Sequence, residues 1–317
     1  MATVRPAPPL LDPPRHDIRL GAHRPARRWW LIRVTTAIVV GLAVAIAVDL
    51  ARGGVTATWL RYAGALAYDA RGERIEIRPG HAIYLDCRGS GSPTLVLEAG
   101  MGSDSATWSP VHDQLAAISR TCSYDRTGRG RSDGGPAGDL AGMSSELSAV
   151  LAASGQHPPY VVVGHSLGAV IARVHATLEP EAVAGLVLID GFDPDIFDGR
   201  ILPLLGPLRD EYVGHTAGLW DLVASVEGID VDRSRMQLAK ARVEGLPLEV
   251  VIAPRADERL DAAANDRIAA SVAAGYEELS PGRVTFTIAW RAGHMVQFDR
   301  PEYVVEAVRR IVAVVRG

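Results

Sequence analysis

Tyr160-Val161-Val162-Val163-Gly164-His165-Ser166-Leu167-Gly168 is the stretch that decides how this chain reads. Its aromatic and β-branched start reads as a buried strand. Ala169-Val170-Ile171-Ala172-Arg173-Val174-His175-Ala176 follows and reads as a helix. Between them lies Gly-x-Ser-x-Gly. A serine on a sharp strand-to-helix turn has its hydroxyl pushed out of the sheet, as a nucleophile elbow requires. Gly164 and Gly168 suit such a turn, because a Cβ at either place would collide with the neighbouring strand or helix. The pattern alone is a weak signal, and an ordinary strand-to-helix turn competes with it. The flanking strand and helix favour the elbow.

Composition narrows the classes. The chain has 317 residues, Lys+Arg 33 against Asp+Glu 37, and a net charge of -4. A nucleic-acid binder would carry a basic excess, so no nucleic-acid partner is implied. Hydrophobic residues at 48% and charged residues at 22% suit one globular α/β domain with insertions.

The N-terminus reads differently. Residues 1–33 are a Pro- and Arg-rich tail with little apolar content, expected to be disordered. Residues 34–50 hold an uncharged run, Val34 to Val48, with Trp29-Trp30-Leu31-Ile32 just before it. Together they approach the ~20 residues of a spanning helix. Arg5, Arg15, Arg19, Arg24, Arg27, Arg28 and Arg33 all precede the run. The positive-inside rule then makes it a single-pass membrane anchor with the domain outside the cytoplasm. A cleaved export signal is the alternative, with Ala45-Ile46-Ala47 as the small-residue site and Arg27-Arg28 as a twin-arginine pair, leaving a secreted protein. A buried helix fits poorly after an Arg-rich tail. Residues 51–72 read as a linker with an amphipathic helix.

From Glu73 onward the pattern alternates. Arg74–Ile77 and His81–Cys87 flank Pro79-Gly80 and read as a hairpin. Strands are expected at Pro93–Gly100, Thr121–Asp125, Val183–Asp190, Leu248–Ala253 and Val284–Ala289. Helices are expected at Trp108–Ser119, Leu140–Ala153 and from Pro301 to the end. A hairpin followed by alternating strands and helices implies a mostly parallel sheet covered on both faces. The stretch from about 192 to 246 interrupts the alternation and reads as a helical lid over the strand ends.

Over roughly residues 73–317 the order of these motifs resembles the α/β-hydrolase superfamily, nearest its lipase/esterase-like group with a helical cap. The likeness rests on the elbow, on Leu97-Glu98-Ala99-Gly100-Met101-Gly102, on the Asp125-Arg126-x-Gly128-x-Gly130-x-Ser132 loop, on Leu186–Asp190, and on Ala292-Gly293-His294 through Pro301-Glu302. The resemblance implies an eight-stranded, mostly parallel sheet. It also puts Cys87 and Cys122 on adjacent strands, where an exported domain would pair them; two buried small residues is the other reading.

A serine hydroxyl needs a base within hydrogen-bond reach. His294 follows the last strand in a Gly-His turn and is the candidate; His165 flanks the nucleophile and His175 sits on the next helix. The acid stays open between Asp190, ending the sixth strand, and Asp257, following the seventh, with Asp193 and Asp261 as outsiders. By analogy the backbone N–H groups of Leu167 and Met101 form the oxyanion hole, although Ala99 stands where many members carry histidine. No metal or cofactor is implied: there is no His-Glu-x-x-His, no zinc-spaced cysteine pair and no phosphate loop. The expected activity is acyl transfer from a small ester-like substrate through an acyl-enzyme. Two alternatives remain: an aminopeptidase whose insertion carboxylates (Asp210, Glu211, Asp221, Glu227) hold an amine, and a non-catalytic protein that keeps the fold.

Overall fold

The structure is a computed structural model and describes residues 68–135, 138–191, 200–254 and 260–317. All of these belong to one compact unit, Leu60–Gly317. The tail at 1–33, the anchor or export segment at 34–50, the linker up to residue 67 and Asp257 lie outside the described residues. Among the described residues no helix is long and apolar enough to cross a membrane.

Eight strands form one sheet: β1 (Glu73–Arg78), β2 (His81–Arg88), β3 (Thr94–Glu98), β4 (Thr121–Tyr124), β5 (Tyr160–His165), β6 (Val183–Ile189), β7 (Leu248–Ile252) and β8 (Val284–Ile288). Their order is β1-β2-β4-β3-β5-β6-β7-β8. From β4 to β8 every pairing is parallel, while β1–β2 and β2–β4 are antiparallel, so the sheet is mixed. The antiparallel edge follows from the Pro79-Gly80 turn: a two-residue connection can only return the chain antiparallel, whereas the later crossovers each carry a helix. Gly80 sits at φ 72, which glycine takes without steric cost.

Helices cover both faces. They are α1 (His112–Ala116), α2 (Leu140–Ala153), α3 (Leu167–Leu178), α4 (Arg209–Glu227), α5 (Val231–Lys240), α6 (Ala262–Leu279), α7 (Val296–Asp299) and α8 (Pro301–Arg316). Successive side chains of β5 point to opposite faces. Val161 and Val163 pack with Leu115, Val308 and Ile311 of α1 and α8. Val162 packs with Leu147, Ala172 and Ile268 of α2, α3 and α6. Burial on both faces is why β5 reads as an unbroken apolar run.

Two elements depart from the sequence expectation. The helix expected over Trp108–Ser119 is a 3-10 turn at Ser105–Trp108 and a short α1 at His112–Ala116. Pro110 lies between them and has no N–H to donate, and Val111 leaves helical backbone at φ -122. Helix α6 was not foreseen. Its signals are Asp261, whose side chain accepts from Ala264 N, and an Ala-rich body that lacks a strong apolar stripe.

Cys87 and Cys122 stand opposite each other in the β2–β4 register and are joined as a disulfide. The insertion between β6 and β7 contains α4 and α5. Trp220, Val223, Ile229 and Leu238 from it pack on Leu167, Val170, Ile171 and Val174 of α3, with Met101 against the same cluster.

Candidate active site

Ser166 follows β5 and stands at the N-cap of α3, with φ 54 and ψ -119. A non-glycine residue there is strained, and such strain persists only where the surroundings enforce it. The surroundings are tight. A Cβ on Gly164 would lie 2.3 Å from the Gly168 carbonyl oxygen, and one on Gly168 would lie 2.1 Å from the Glu98 carbonyl oxygen. The elbow is thus wedged between β3 and its own helix. Ser166 N donates to Ile189 O of the next strand at 3.0 Å. Leu167 opens α3, where the first N–H groups have no intrahelical acceptor.

The loop after β3 lies directly against the serine. A Cβ on Gly100 would sit 3.3 Å from Ser166 Cβ and 3.0 Å from His165 Nδ1. Glycine is therefore what lets residues 99–101 approach so closely.

His294 lies in the turn between β8 and α7, held there by Gly293 N donating to Asp299 Oδ2 at 2.7 Å. Its ring is 55% exposed, whereas the Asp190 side chain is buried. His294 Nδ1 donates to Asp190 Oδ2 at 2.7 Å. A carboxylate only accepts, so the proton sits on Nδ1 and the neutral ring presents Nε2 as an acceptor. Asp190 Oδ1 accepts from Ala253 N at 3.0 Å, and Asp190 N donates to Val251 O at 2.7 Å. Asp190 itself is at φ 40, a second left-handed residue beside the elbow. Of the two acids open in the sequence, Asp190 is the one brought to His294; Asp257 lies outside the described residues.

His165 takes a supporting place. It is buried, and its Nε2 donates to the His294 carbonyl at 2.8 Å. Burial, reinforced by the neighbouring His294, lowers its pKa to about 4, so it stays a neutral donor. His175, in the last turns of α3, shares a hydrogen bond between its Nδ1 and Ser144 Oγ of α2 at 2.8 Å.

The Asp125 loop is built as a support. Asp125 Oδ1 accepts from Ser105 N at 2.7 Å and Oδ2 from Arg131 N at 2.8 Å. A Cβ on Gly130 would lie 2.1 Å from Asp125 Oδ2.

A profile of the Alpha/beta hydrolase family matches residues 95–307. The chain belongs to this family. As an alpha/beta hydrolase it is 38% identical over 104 residues to the uncharacterized protein YqjL of Bacillus subtilis, 32% of this chain and 41% of that protein. It is 36% identical over 139 residues to RutD of Azorhizobium caulinodans, provisionally named a carbamate hydrolase, 41% of this chain and 51% of that one. The chain thus spans about half or less of the curated relatives it matches. Among solved structures it is similar to a thermophilic esterase from Thermogutta terrifontis, with TM-score 0.51 and 18% identity over 78% of this chain and 100% of that one. A lipase-like protein from Acinetobacter baumannii gives TM-score 0.54 and 15% identity over 78% and 92%. At these identities the structural likeness speaks for the alpha/beta hydrolase fold.

Glu98 and Arg126 stand in the sequence only as motif positions and Glu227 as an insertion carboxylate; the structure brings the three together beside this alpha/beta hydrolase site. Arg126 is buried, pairs with Glu98 Oε1 at 2.7 Å and with Glu227 Oε1 at 3.0 Å. Burial opposes the Arg126 charge, but the Glu98 and Glu227 carboxylates outweigh it and hold the guanidinium charged. Burial pushes the Glu98 carboxyl up, and Tyr124 Oη donates to it. Glu227 therefore is not available to hold a substrate amine, as the aminopeptidase reading would have it. A charged residue at the end of the apolar strand Thr94–Glu98 was the visible signal.

Proposed function

We propose that this protein is a serine hydrolase that cleaves an ester-like acyl bond. The observation that carries the reading is the Ser166 backbone, held at φ 54 between β5 and α3. In the proposed first step, Ser166 Oγ bonds to the substrate carbonyl carbon as its proton passes to His294 Nε2. Asp190 steadies the imidazolium and fixes its tautomer. The N–H groups of Leu167 and Met101 receive the charge on the carbonyl oxygen. Collapse breaks the bond to the leaving group, which takes the proton from Nε2. Water then gives a proton to His294, attacks the acyl-enzyme and releases the acid and free Ser166.

The insertion between β6 and β7 is read as the cap that shapes the acyl and leaving-group space. The uncharged Val34–Val48 run supports an N-terminal membrane anchor, and the Cys87–Cys122 pair suits an oxidising compartment outside the cytoplasm. Fractionation of expressing cells, with protease added to intact spheroplasts, tests that placement.

The function is tested with p-nitrophenyl esters of increasing acyl length and one aryl carbamate, since one relative is named for carbamate cleavage. Wild type should turn over esters and take a fluorophosphonate label, and Ser166→Ala should do neither. Equal ester hydrolysis by the two proteins would sink the reading. A folded wild type that neither labels nor hydrolyses would favour the non-catalytic alternative.

A further inference from the structure

The insertion reaches into the loop that carries one oxyanion donor. Glu227 is the last residue of α4, and its side chain is 1% exposed. Its Oε1 accepts from Gly102 N at 2.6 Å and from Arg126 Nη2 at 3.0 Å. Arg126 Nη1 in turn donates to Ala99 O at 2.6 Å, and Nη2 to Gly100 O at 2.8 Å. Arg129 lies 3.4 Å from Glu227 Oε2 and also donates to Val226 O, which fixes the end of α4.

These bonds orient two consecutive peptide planes. In a trans peptide the C=O and the following N–H point in opposite directions. Gly100 C=O accepts from Arg126 Nη2 and, at 3.2 Å, from Ser103 N, so Met101 N–H is turned away from both. The next peptide is held the other way, with Gly102 N–H on Glu227. One carboxylate oxygen thus serves both planes: directly through Gly102 and indirectly by holding Nη2, which it shares with Gly100 O. The Met101 side chain packs against the cluster formed by Trp220, Val223 and Leu167, so the same insertion also touches both donor residues.

We infer that Glu227 is a positioning residue whose Oε1 sets the direction of the Met101 N–H, coupling the seat of the insertion to the strength of the oxyanion hole. This rests on the serine-hydrolase reading above. What matters is where the acceptor oxygen sits, more than its charge. A lost oxyanion donor costs about 10²–10³ in turnover, and a misdirected one loses part of that.

The experiment compares wild type, Ser166→Ala, Glu227→Asp and Glu227→Gln on p-nitrophenyl acetate, with melting midpoints by circular dichroism. Glu227→Asp keeps the charge for Arg126 and retracts the carboxylate by about one C–C bond, roughly 1.5 Å. Glu227→Gln keeps the length and an acceptor oxygen but removes the charge. The expected result is kcat down about tenfold or more in Glu227→Asp with KM within about threefold, and kcat within about threefold of wild type in Glu227→Gln. Affinity for an aryl trifluoromethyl ketone, which places an oxyanion in the hole, should fall in step with kcat/KM. A purely structural ion pair predicts the reverse order, since glutamine leaves Arg126 short of a counter-charge and aspartate does not. Full kcat in Glu227→Asp, or a larger loss in Glu227→Gln, overturns the inference. If Glu227→Asp does not fold, Arg129→Met carries the test: releasing the end of α4 should lower kcat about tenfold at unchanged KM, and a kcat within about threefold of wild type overturns the inference. Should Ser166→Ala match wild type, the serine reading falls and this inference with it. Should only Ser166→Ala be inactive while Glu227→Asp is fully active, the serine reading stands and this inference alone falls.

Discussion

Asp190 Oδ2 accepts from His294 Nδ1 at 2.7 Å across 104 residues of chain, while its other oxygen takes the Ala253 N–H at 3.0 Å. The carboxylate is thereby fixed from two sides before it meets the imidazole. Asparagine at 190 can keep its oxygen on Ala253 N–H, which turns its NH₂ toward Nδ1. The ring must then carry its proton on Nε2 and cannot accept one from Ser166. We expect Asp190→Asn to lower kcat about 10³–10⁴-fold with little change in melting midpoint. Asp257→Asn should stay within about threefold of wild type. The reverse pattern in ester hydrolysis would make Asp257 the acid.

The elbow predicts its own intolerance. Alanine at Gly168 would drive a Cβ to 2.1 Å from a backbone oxygen of β3, which no side-chain rotation relieves. Gly168→Ala should cost more than about 3 kcal/mol and give little folded protein. Gly218 offers the contrast: it is exposed in α4, and a Cβ there meets nothing within 4 Å. Gly218→Ala should gain about 0.5–1 kcal/mol in urea melts. A neutral Gly168→Ala would refute the packing described.

Buried His175 ties stability to pH. Burial lowers its pKa to about 4 in the fold, against ~6.5 in the unfolded chain. Below the unfolded value the unfolded state binds a proton that the folded state does not. The contribution is therefore complete above about pH 6.5 and is lost as pH falls toward about 4, by roughly 3 kcal/mol. The stability difference between wild type and His175→Gln, measured from pH 7.5 to 4.5, should shift by that sign; a flat difference would count against a neutral buried His175. Taking the difference cancels other titrating groups, including Glu98, whose raised pKa acts with the opposite sign.

The β2–β4 disulfide closes a loop of sequence separation 35. Chain-entropy reasoning gives about 3–4 kcal/mol for such a loop. Replacing both Cys87 and Cys122 by alanine should lower stability by up to that amount, and dithiothreitol should lower the wild-type midpoint but leave the double variant unmoved.

Much of this protein is legible along the chain. Val161-Val162-Val163 announces a strand buried on two faces, because parallel strands under helices need apolar side chains at every position. Gly164, Ser166 and Gly168 announce the elbow, because a Cβ on Gly164 would strike the backbone of α3 and one on Gly168 the backbone of β3. Gly293-His294 after the last strand announces the imidazole that meets Asp190. These are local requirements, and local sequence carries them. The partner of His294 is not local. Along the sequence Asp190 and Asp257 each follow an apolar strand-like run, and propensity cannot say which carboxylate meets the ring. The packing of β6 beside β7 brings Ala253 N–H onto Asp190, whose other oxygen meets His294 Nδ1. The same holds for Glu227, which reads as one more charge on an insertion helix. Only the descent of α4 onto the loop after β3 turns it inward, where burial forces it to find Arg126 and Gly102 N–H.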